Sequence, residues 1–103
     1  MTPEKSIMNE IRLWCGQNDI LCFRCNVGTV KLSNGMYFDT GLPSGFPDLL
    51  ILHNGVTYYT EVKTSTGKQR SDQLNFQRLL EERGFIYTVV RSVDDVKRML
   101  NLI

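Results

Sequence analysis

The sequence is poor in the residues on which several classes of enzyme depend. It contains one histidine, His53, and it has neither an HExxH motif nor a glycine-rich phosphate-binding loop. A Ser-His-Asp or Cys-His mechanism would have to use His53, which the sequence places in a tight turn. These absences disfavour histidine-based hydrolases, zinc metalloproteases of the HExxH type and P-loop enzymes.

Long apolar runs and an even set of cysteines are also missing. No run approaches the length of a membrane span, and no signal peptide opens the chain. The three cysteines, Cys15, Cys22 and Cys25, are an odd number without a secretion signal, which favours a reducing cytoplasm. Cys22-x-x-Cys25 lacks a second pair of zinc ligands, so we interpret these thiols as buried and structural. We expect a cytoplasmic protein that does not enter a membrane.

The composition is that of an ordinary globular protein. The chain has 103 residues, 42% of them hydrophobic and 22% charged, so we expect a single domain over residues 1–103. The net charge of +1 gives no global field that would attract nucleic acid. If a metal occupied Glu4, Asp48 and Glu61, however, 12 basic residues would face the 8 remaining acidic ones.

Helical and strand patterns alternate along the chain. Thr2-Pro3 predicts a helix start, and Ile7, Ile11 and Trp14 form its apolar stripe up to Gly16. Further elements are predicted as strands over 20–26, 48–53, 56–63 and 86–91, a helix over 72–83 capped by Ser71, and a last helix capped by Ser92. Residues 27–46 are predicted as a long loop, with a possible short strand around 36–38. The order α-β-β-β-α-β-α predicts an α/β fold in which a small mixed β-sheet is flanked by helices.

The dipeptide Asn54-Gly55 predicts a tight hairpin between two apolar runs. If it forms the turn, His53 pairs with Val56, and counting outward places Asp48 directly opposite Glu61. Two opposed carboxylates are destabilising, and a bound cation such as Mg²⁺ or Mn²⁺ would remove that conflict. Side-chain alternation places Lys63 on the same face as Glu61. The alternative is a solvated strand end with an ordinary Glu61–Lys63 surface pair.

The first helix carries two acidic residues that differ in their predicted orientation. Glu4 falls within the apolar stripe, three residues before Ile7, whereas Glu10 falls on its flank. We therefore expect Glu4 to face inward near the helix start, where a carboxylate also suits the helix dipole. The alternative is a first-turn acid that points to water.

These residues together resemble a nuclease signature. Pro47-Asp48, followed by Glu61-x-Lys63, is the motif of the PD-(D/E)XK nucleases. The stretch 45–49, the triplet 61–63 and Gln73 in the next helix resemble the VRR-NUC branch, the virus-type replication-repair nucleases. Glu4-x-x-Ile7-x-x-x-Ile11 is similar to the opening helix of that branch, and Arg24-x-Asn26-x-Gly28 to its first strand and turn. Residues 29–43 depart from the pattern as an insertion-like loop.

The resemblance implies a restriction-endonuclease-like core and a role for each matching residue. Asp48, Glu61 and the backbone carbonyl of Val62 would be ligands of Mg²⁺ or Mn²⁺, and Glu4 would complete the site, with Glu10 as its rival. Lys63 would orient or deprotonate the attacking water and stabilise charge on the phosphate, and Gln73 would reach the site from its helix. The residues expected to contact nucleic acid are Arg24, Asn26, Lys68 and Arg70.

The resemblance also implies a substrate and an assembly. Stand-alone members of this branch resemble dimeric Holliday-junction resolvases, which implies a homodimeric, structure-selective DNA endonuclease for branched or junction DNA. Its setting would be recombination or repair in a bacterial cell or a phage-infected host. The candidate dimer surfaces are Met36-Tyr37-Phe38 and the first helix around Trp14. The alternatives are a monomeric flap or nicking nuclease, and an inactive DNA-binding module of the same fold.

Overall fold

A mixed four-stranded sheet forms the centre of the fold in the computed structural model, which describes residues 1–103. In chain order the elements are α1 (Pro3–Gln17), β1 (Leu21–Arg24), β2 (Thr29–Lys31), β3 (Tyr37–Asp39), β4 (Leu49–His53), β5 (Val56–Val62), α2 (Ser71–Glu82), β6 (Ile86–Val90) and α3 (Val93–Met99). The sheet order is β1-β4-β5-β6, with β6 parallel to β5 and the other neighbours antiparallel. The parallel pair is connected through α2, as parallel strands require a crossover. The predicted mixed sheet flanked by helices is confirmed.

Helices cover both faces of this sheet. The main core joins apolar residues of α1 and α3 to alternate residues of the strands, among them Ile11, Leu49, Ile51, Val62 and Val90, all with no exposed area. The opposite face carries an aromatic group in which Phe46 contacts both Tyr59 and Phe76. Because side chains alternate along a strand, Val62 belongs to the first face, while Glu61 and Lys63 belong to the face covered by α2.

The predicted β4–β5 hairpin has the expected register. His53 pairs with Val56 and Leu49 pairs with Thr60. Asn54 and Gly55 have φ values of 51° and 76°, which is the left-handed backbone that a type I′ turn needs. Asp48 and Glu61 occupy the next position beyond the Leu49–Thr60 pair.

The segment predicted as a long loop contains a second hairpin instead. Strands β2 and β3 pair in a separate two-stranded sheet, with Val30 opposite Phe38 and Lys31 opposite Tyr37. Only the second of these strands was anticipated, as a possible short strand, and the observed element order has two strands more than the predicted one. Each strand has three residues, and no other helix or strand packs against the hairpin, so its sequence carries almost no periodic pattern.

Several element boundaries also differ from the prediction. Helix α1 continues through Gly16 to Gln17, and the chain turns at Asp19, which has a φ of 58°. Helix α2 begins at Ser71, with Arg70 rather than Ser71 at the N-cap position. Cys22 and Cys25 are partly exposed, so only Cys15 is the buried thiol that the sequence predicted. None of the helices combines the length and the apolar character needed to cross a bilayer.

Candidate metal centre

Three carboxylates from distant parts of the chain converge at one end of the sheet. Glu4, Asp48 and Glu61 each offer an oxygen atom, and these atoms all lie within 4.8 Å of one another. Glu4 comes from the first turn of α1, Asp48 directly precedes β4, and Glu61 lies near the end of β5. Glu10, the rival predicted for the same role, is exposed and lies outside this group.

The chain before β4 is fixed against the start of α2, which places Asp48. Gly45 has a φ of 88°, and a Cβ atom at this position would collide with the backbone carbonyl of Asp72. The Ser44 hydroxyl donates a hydrogen bond to the Asp72 carboxylate, and Pro47 is fully buried. Only glycine combines this backbone conformation with so close an approach, so residues 44–47 pack directly on the helix.

Asp48 and Glu61 are held by hydrogen bonds from different elements. The backbone N–H of Val62 donates to Asp48 Oδ2 at 2.9 Å. Gln73 Nε2 donates to Glu61 Oε1 at 3.1 Å, and the Tyr87 hydroxyl lies 3.4 Å from Glu61 Oε2. Gln73 is itself oriented, because its Oε1 accepts the backbone N–H of Arg70 at 2.9 Å. Gln73 therefore lies beside the carboxylate group, where it contacts Glu61 from α2.

The electrostatics of the group favour a bound cation. Burial raises the pKa of Glu61 to about 9, and the neighbouring Asp48 carboxyl adds to the shift, whereas the charge of Lys63 opposes it. Burial also raises the pKa of Tyr87, and the charge of Glu61 adds to that shift, so the Tyr87 hydroxyl keeps its proton at neutral pH. A divalent cation would favour the ionised carboxylates. Carboxylate oxygens are the ligands that hard cations such as Mg²⁺ and Mn²⁺ prefer, so the donor set fits such an ion.

Lys63 is an almost fully buried cation close to this group. The residue is 4% exposed, and its backbone N–H donates to the carbonyl of Val90 at 3.0 Å. Its charge lowers the pKa of Glu61 and so favours the ionised form of that carboxyl group. Lysines are almost never fully buried unless they are paired with an acidic group, because their desolvation is costly.

An open cleft of about 490 Å³ gives access to two of the three carboxylates. Its lining includes Glu4 and Asp48, together with Lys5, Arg24 and Asn26. Two of the four residues predicted to contact nucleic acid, Arg24 and Asn26, therefore border the same cleft as the acidic group.

The other two predicted nucleic-acid contacts lie elsewhere. Lys68 and Arg70 belong to the connection between β5 and α2, and neither lines the cleft. Arg70 pairs with Asp72 at 3.2 Å. The structure therefore separates the four residues into two groups.

Sequence reasoning missed two polar residues of the centre. Tyr87 lies in an apolar, β-branched strand pattern that gave no sign of a polar role, and Gln69 lies in a connecting segment. The Tyr87 hydroxyl reaches Glu61 because β6 runs parallel to β5, with Tyr87 paired to Tyr59. This pairing is set by the crossover through α2, and a local sequence pattern does not encode it.

Comparisons with known proteins agree with this architecture. A scan against models of protein families finds no match, and neither does a search of curated proteins. A solved structure described as a "VRR_NUC domain" superposes with a TM-score of 0.71 at 24% sequence identity, over 98% of this chain and 97% of the other. The resemblance inferred from the motifs is thereby confirmed at the level of the fold: the chain folds as a VRR_NUC domain does.

Proposed function

We propose that the protein is a divalent-metal-dependent nuclease that hydrolyses phosphodiester bonds in DNA. The observation that carries the proposal is the meeting of Glu4, Asp48 and Glu61 within 4.8 Å, with Glu4 and Asp48 lining an open cleft. The fold similarity to a VRR_NUC domain supports the same function. A group of three carboxylates with a buried lysine beside it costs stability, and such costly groups are typical of catalytic sites.

In this proposal, Asp48, Glu61 and the backbone carbonyl of Val62 hold Mg²⁺ or Mn²⁺, and Glu4 completes the ligand set. The ion would supply Lewis acidity toward the phosphate. Val62 and Gln73 keep the two carboxylates in place through the hydrogen bonds that they donate. The chain therefore contributes a ligand set whose orientation is fixed before substrate arrives.

Lys63 would act on the substrate rather than on the ion. An ammonium group close to the carboxylates is placed to stabilise the negative charge that develops on the phosphate. It can also orient the attacking water or help to deprotonate it. Both roles require that Lys63 stay close to Glu61, which lies two residues before it on the same face of the sheet.

The DNA strand would enter through the cleft. Arg24 and Asn26 border the cleft and supply a cation and an amide for phosphate oxygens. Lys68 and Arg70 would contact a second stretch of DNA, because they lie in the connection between β5 and α2 and outside the cleft. A branched DNA has separate strands that can contact the cleft and the connection between β5 and α2 at the same time.

We further propose that the active species is a homodimer on branched or junction DNA. The hairpin β2–β3 supports this assembly, since Met36, Tyr37 and Phe38 are 64%, 68% and 57% exposed and no other helix or strand packs against them. Trp14, the other candidate contact, packs against the core, with Lys97 Nζ 5.9 Å from its ring centre. The hairpin is therefore the better dimer surface. The complete carboxylate and lysine set argues against an inactive DNA-binding module.

The experiment that tests the proposal is a cleavage assay on DNA of different shapes. Four-way junctions, flaps and plain duplex are incubated with the protein in Mg²⁺, in Mn²⁺ and in EDTA at one ionic strength. We expect cleavage with either ion, none in EDTA, and a preference for branched substrates. If a monomer cleaves duplex and junction equally, the proposal of a homodimer selective for branched DNA fails and the protein is a general nuclease. If no substrate is cleaved, the nuclease proposal itself is contradicted.

A further inference from the structure

We propose that Tyr87 is a positioning residue for the Glu61 carboxylate, and that Gln69 sets the direction of the Tyr87 hydroxyl. This inference rests on the proposed function, because it requires Glu61 to be a metal ligand. It concerns residues outside the nuclease motif, in β6 and in the connection between β5 and α2.

Tyr87 holds the side of Glu61 that Gln73 does not reach. Gln73 donates to Oε1 at 3.1 Å from α2, and the Tyr87 hydroxyl approaches Oε2 at 3.4 Å from β6. The terminal torsion of a glutamate is broad, so the carboxylate of an isolated side chain has no strongly preferred orientation. Two donors from two different elements fix that plane, and both would have to yield before the carboxylate could rotate.

Gln69 determines which way the Tyr87 hydroxyl points. A phenol oxygen both donates and accepts hydrogen bonds. Gln69 Nε2 donates to the Tyr87 oxygen at 3.2 Å and to Gln77 Oε1 at 3.0 Å. Since the acceptor side of the phenol is occupied, its own proton is available to Glu61. The donors therefore run in one direction, from Gln69 to Tyr87 to Glu61.

This chain of donors links the ligand to the basic connection between β5 and α2. Gln69 stands between Lys68 and Arg70 in the sequence. The Arg91 guanidinium anchors the same connection by donating to the backbone carbonyls of Thr64 and Gly67 at 2.5 and 2.7 Å. Gln69 is thus carried by a fixed piece of backbone, which a positioning role requires.

A purely structural role for Tyr87 makes a different prediction. The residue is 6% exposed, so the ring fills space whether or not the hydroxyl matters. The substitution Tyr87→Phe keeps the ring and removes only the hydroxyl. If the residue serves packing alone, this change should leave the binding of a metal ion as it is.

The test is the affinity of the full chain for Mn²⁺ and for Mg²⁺, measured by isothermal titration calorimetry. The proteins are the wild type, Y87F, Q69A, the double variant and Y59F. Tyr59 makes the control, because it pairs with Tyr87 across the parallel strands and its ring packs on Phe46 and Phe85. Thermal unfolding in EDTA shows that each variant is folded.

We expect Y87F to weaken metal binding about tenfold, the lower end of what the loss of a partner behind a ligand costs. Q69A should weaken it less, and the double variant should bind no more weakly than Y87F alone, because both changes act through one hydroxyl. Y59F should bind as the wild type does.

Three results would contradict this inference, and a fourth would contradict the proposed function as well. If Y87F binds the metal ion as tightly as the wild type, Tyr87 serves packing alone. If the losses of affinity in Y87F and Q69A add up in the double variant, Gln69 does not act through Tyr87. If Y87F does not fold, wild-type affinity in Q69A is the contradicting result. Failure of the wild type to bind either ion would refute the metal centre itself, and with it the proposed function.

Discussion

The backbone N–H of Val62 donates a hydrogen bond to Asp48 Oδ2 across the open end of the β4–β5 hairpin, at 2.9 Å. The bond extends the pairing of the two strands beyond Leu49 and Thr60 by using a side chain where the ladder ends. It uses one oxygen of the Asp48 carboxylate, Oδ2, as the acceptor. The same contact therefore ends the hairpin and orients a candidate ligand.

Replacing Asp48 by asparagine should separate folding from metal binding. The side-chain oxygen of the asparagine in D48N can still accept the Val62 N–H, so the fold should persist in EDTA. Metal affinity should fall by more than the roughly 10–100-fold that loss of an outer partner costs. Calorimetry and thermal unfolding measure both effects, and a D48N protein that binds Mg²⁺ normally would contradict the ligand role.

The two acids of α1 provide a matched pair of substitutions. Glu4→Gln removes a carboxylate from the acidic group, and Glu10→Gln removes one from an exposed position of the same helix. We expect E4Q to weaken Mn²⁺ binding and cleavage, and E10Q to leave both unchanged. The opposite ranking would restore Glu10 as the third ligand.

Lys63 and Lys68 differ in the property that matters for catalysis. Lys63 is buried beside the carboxylates, while Lys68 lies in a connecting segment outside the cleft. Lys63→Ala should leave metal affinity largely intact and lower kcat by about 10²–10³-fold, the usual loss for a group that stabilises transition-state charge. Lys68→Ala should instead weaken DNA binding and reduce its salt dependence by about one unit of slope. Unchanged turnover in K63A would exclude Lys63 from the reaction.

The raised pKa of Glu61 predicts how the metal-free protein responds to pH. In the folded state the Glu61 carboxyl group has a pKa of about 9, whereas in the unfolded chain it has the ordinary value of 4.5. The folded state binds more protons between these values, so the free energy of unfolding should fall as pH rises from 4.5 towards 9. Urea unfolding in EDTA at about pH 5, 7 and 9 measures the trend.

Two further unfolding experiments test whether Glu61 is the source of this pH dependence. Saturating Mg²⁺ should reduce the loss of stability, since the ion binds the ionised carboxylates. The variant E61Q should lose this component of the pH dependence altogether. A wild-type profile that matches E61Q would show that Glu61 titrates normally in the folded protein.

Gly45 and Gly55 test whether close packing, as well as backbone conformation, fixes the segment before Asp48. Both have positive φ, but a Cβ at Gly55 meets open space, whereas a Cβ at Gly45 meets the backbone of Asp72. Gly55→Ala should cost about 1–2 kcal/mol of stability through backbone strain alone. Gly45→Ala should cost more, and it should also weaken metal binding by displacing Asp48. Equal losses in denaturant unfolding would show that the segment is free to shift.

The hairpin that carries the candidate ligands was predictable from local chemistry. Asn54-Gly55 fixes the turn, and counting outward from it gives the opposition of Asp48 and Glu61 without knowledge of the rest of the fold. The inward orientation of Glu4 follows from the 100° period of α1 in the same way. These features depend on neighbouring residues only, which is why they could be derived.

The features that escaped prediction depend mostly on contacts between distant parts of the chain. The three-residue strand β2 has no partner but β3, and it lies in a glycine-rich stretch with no periodic pattern. Tyr87 reaches Glu61 only because β6 runs beside β5 after the crossover through α2. Gly16 predicts a helix stop, but the stop is at Asn18 and Asp19, since the helix tolerates an exposed glycine near its end.

The separation of Glu4, Asp48 and Glu61 along the chain affects how the protein would assemble. An unfolded chain cannot bring positions 4, 48 and 61 together without closing two loops, so it should have little affinity for the ion. The centre would form only when α1 has docked and the β4–β5 hairpin is complete. An ion bound there would slow global unfolding rather than speed collapse, and its release would become the first step by which the native state is lost.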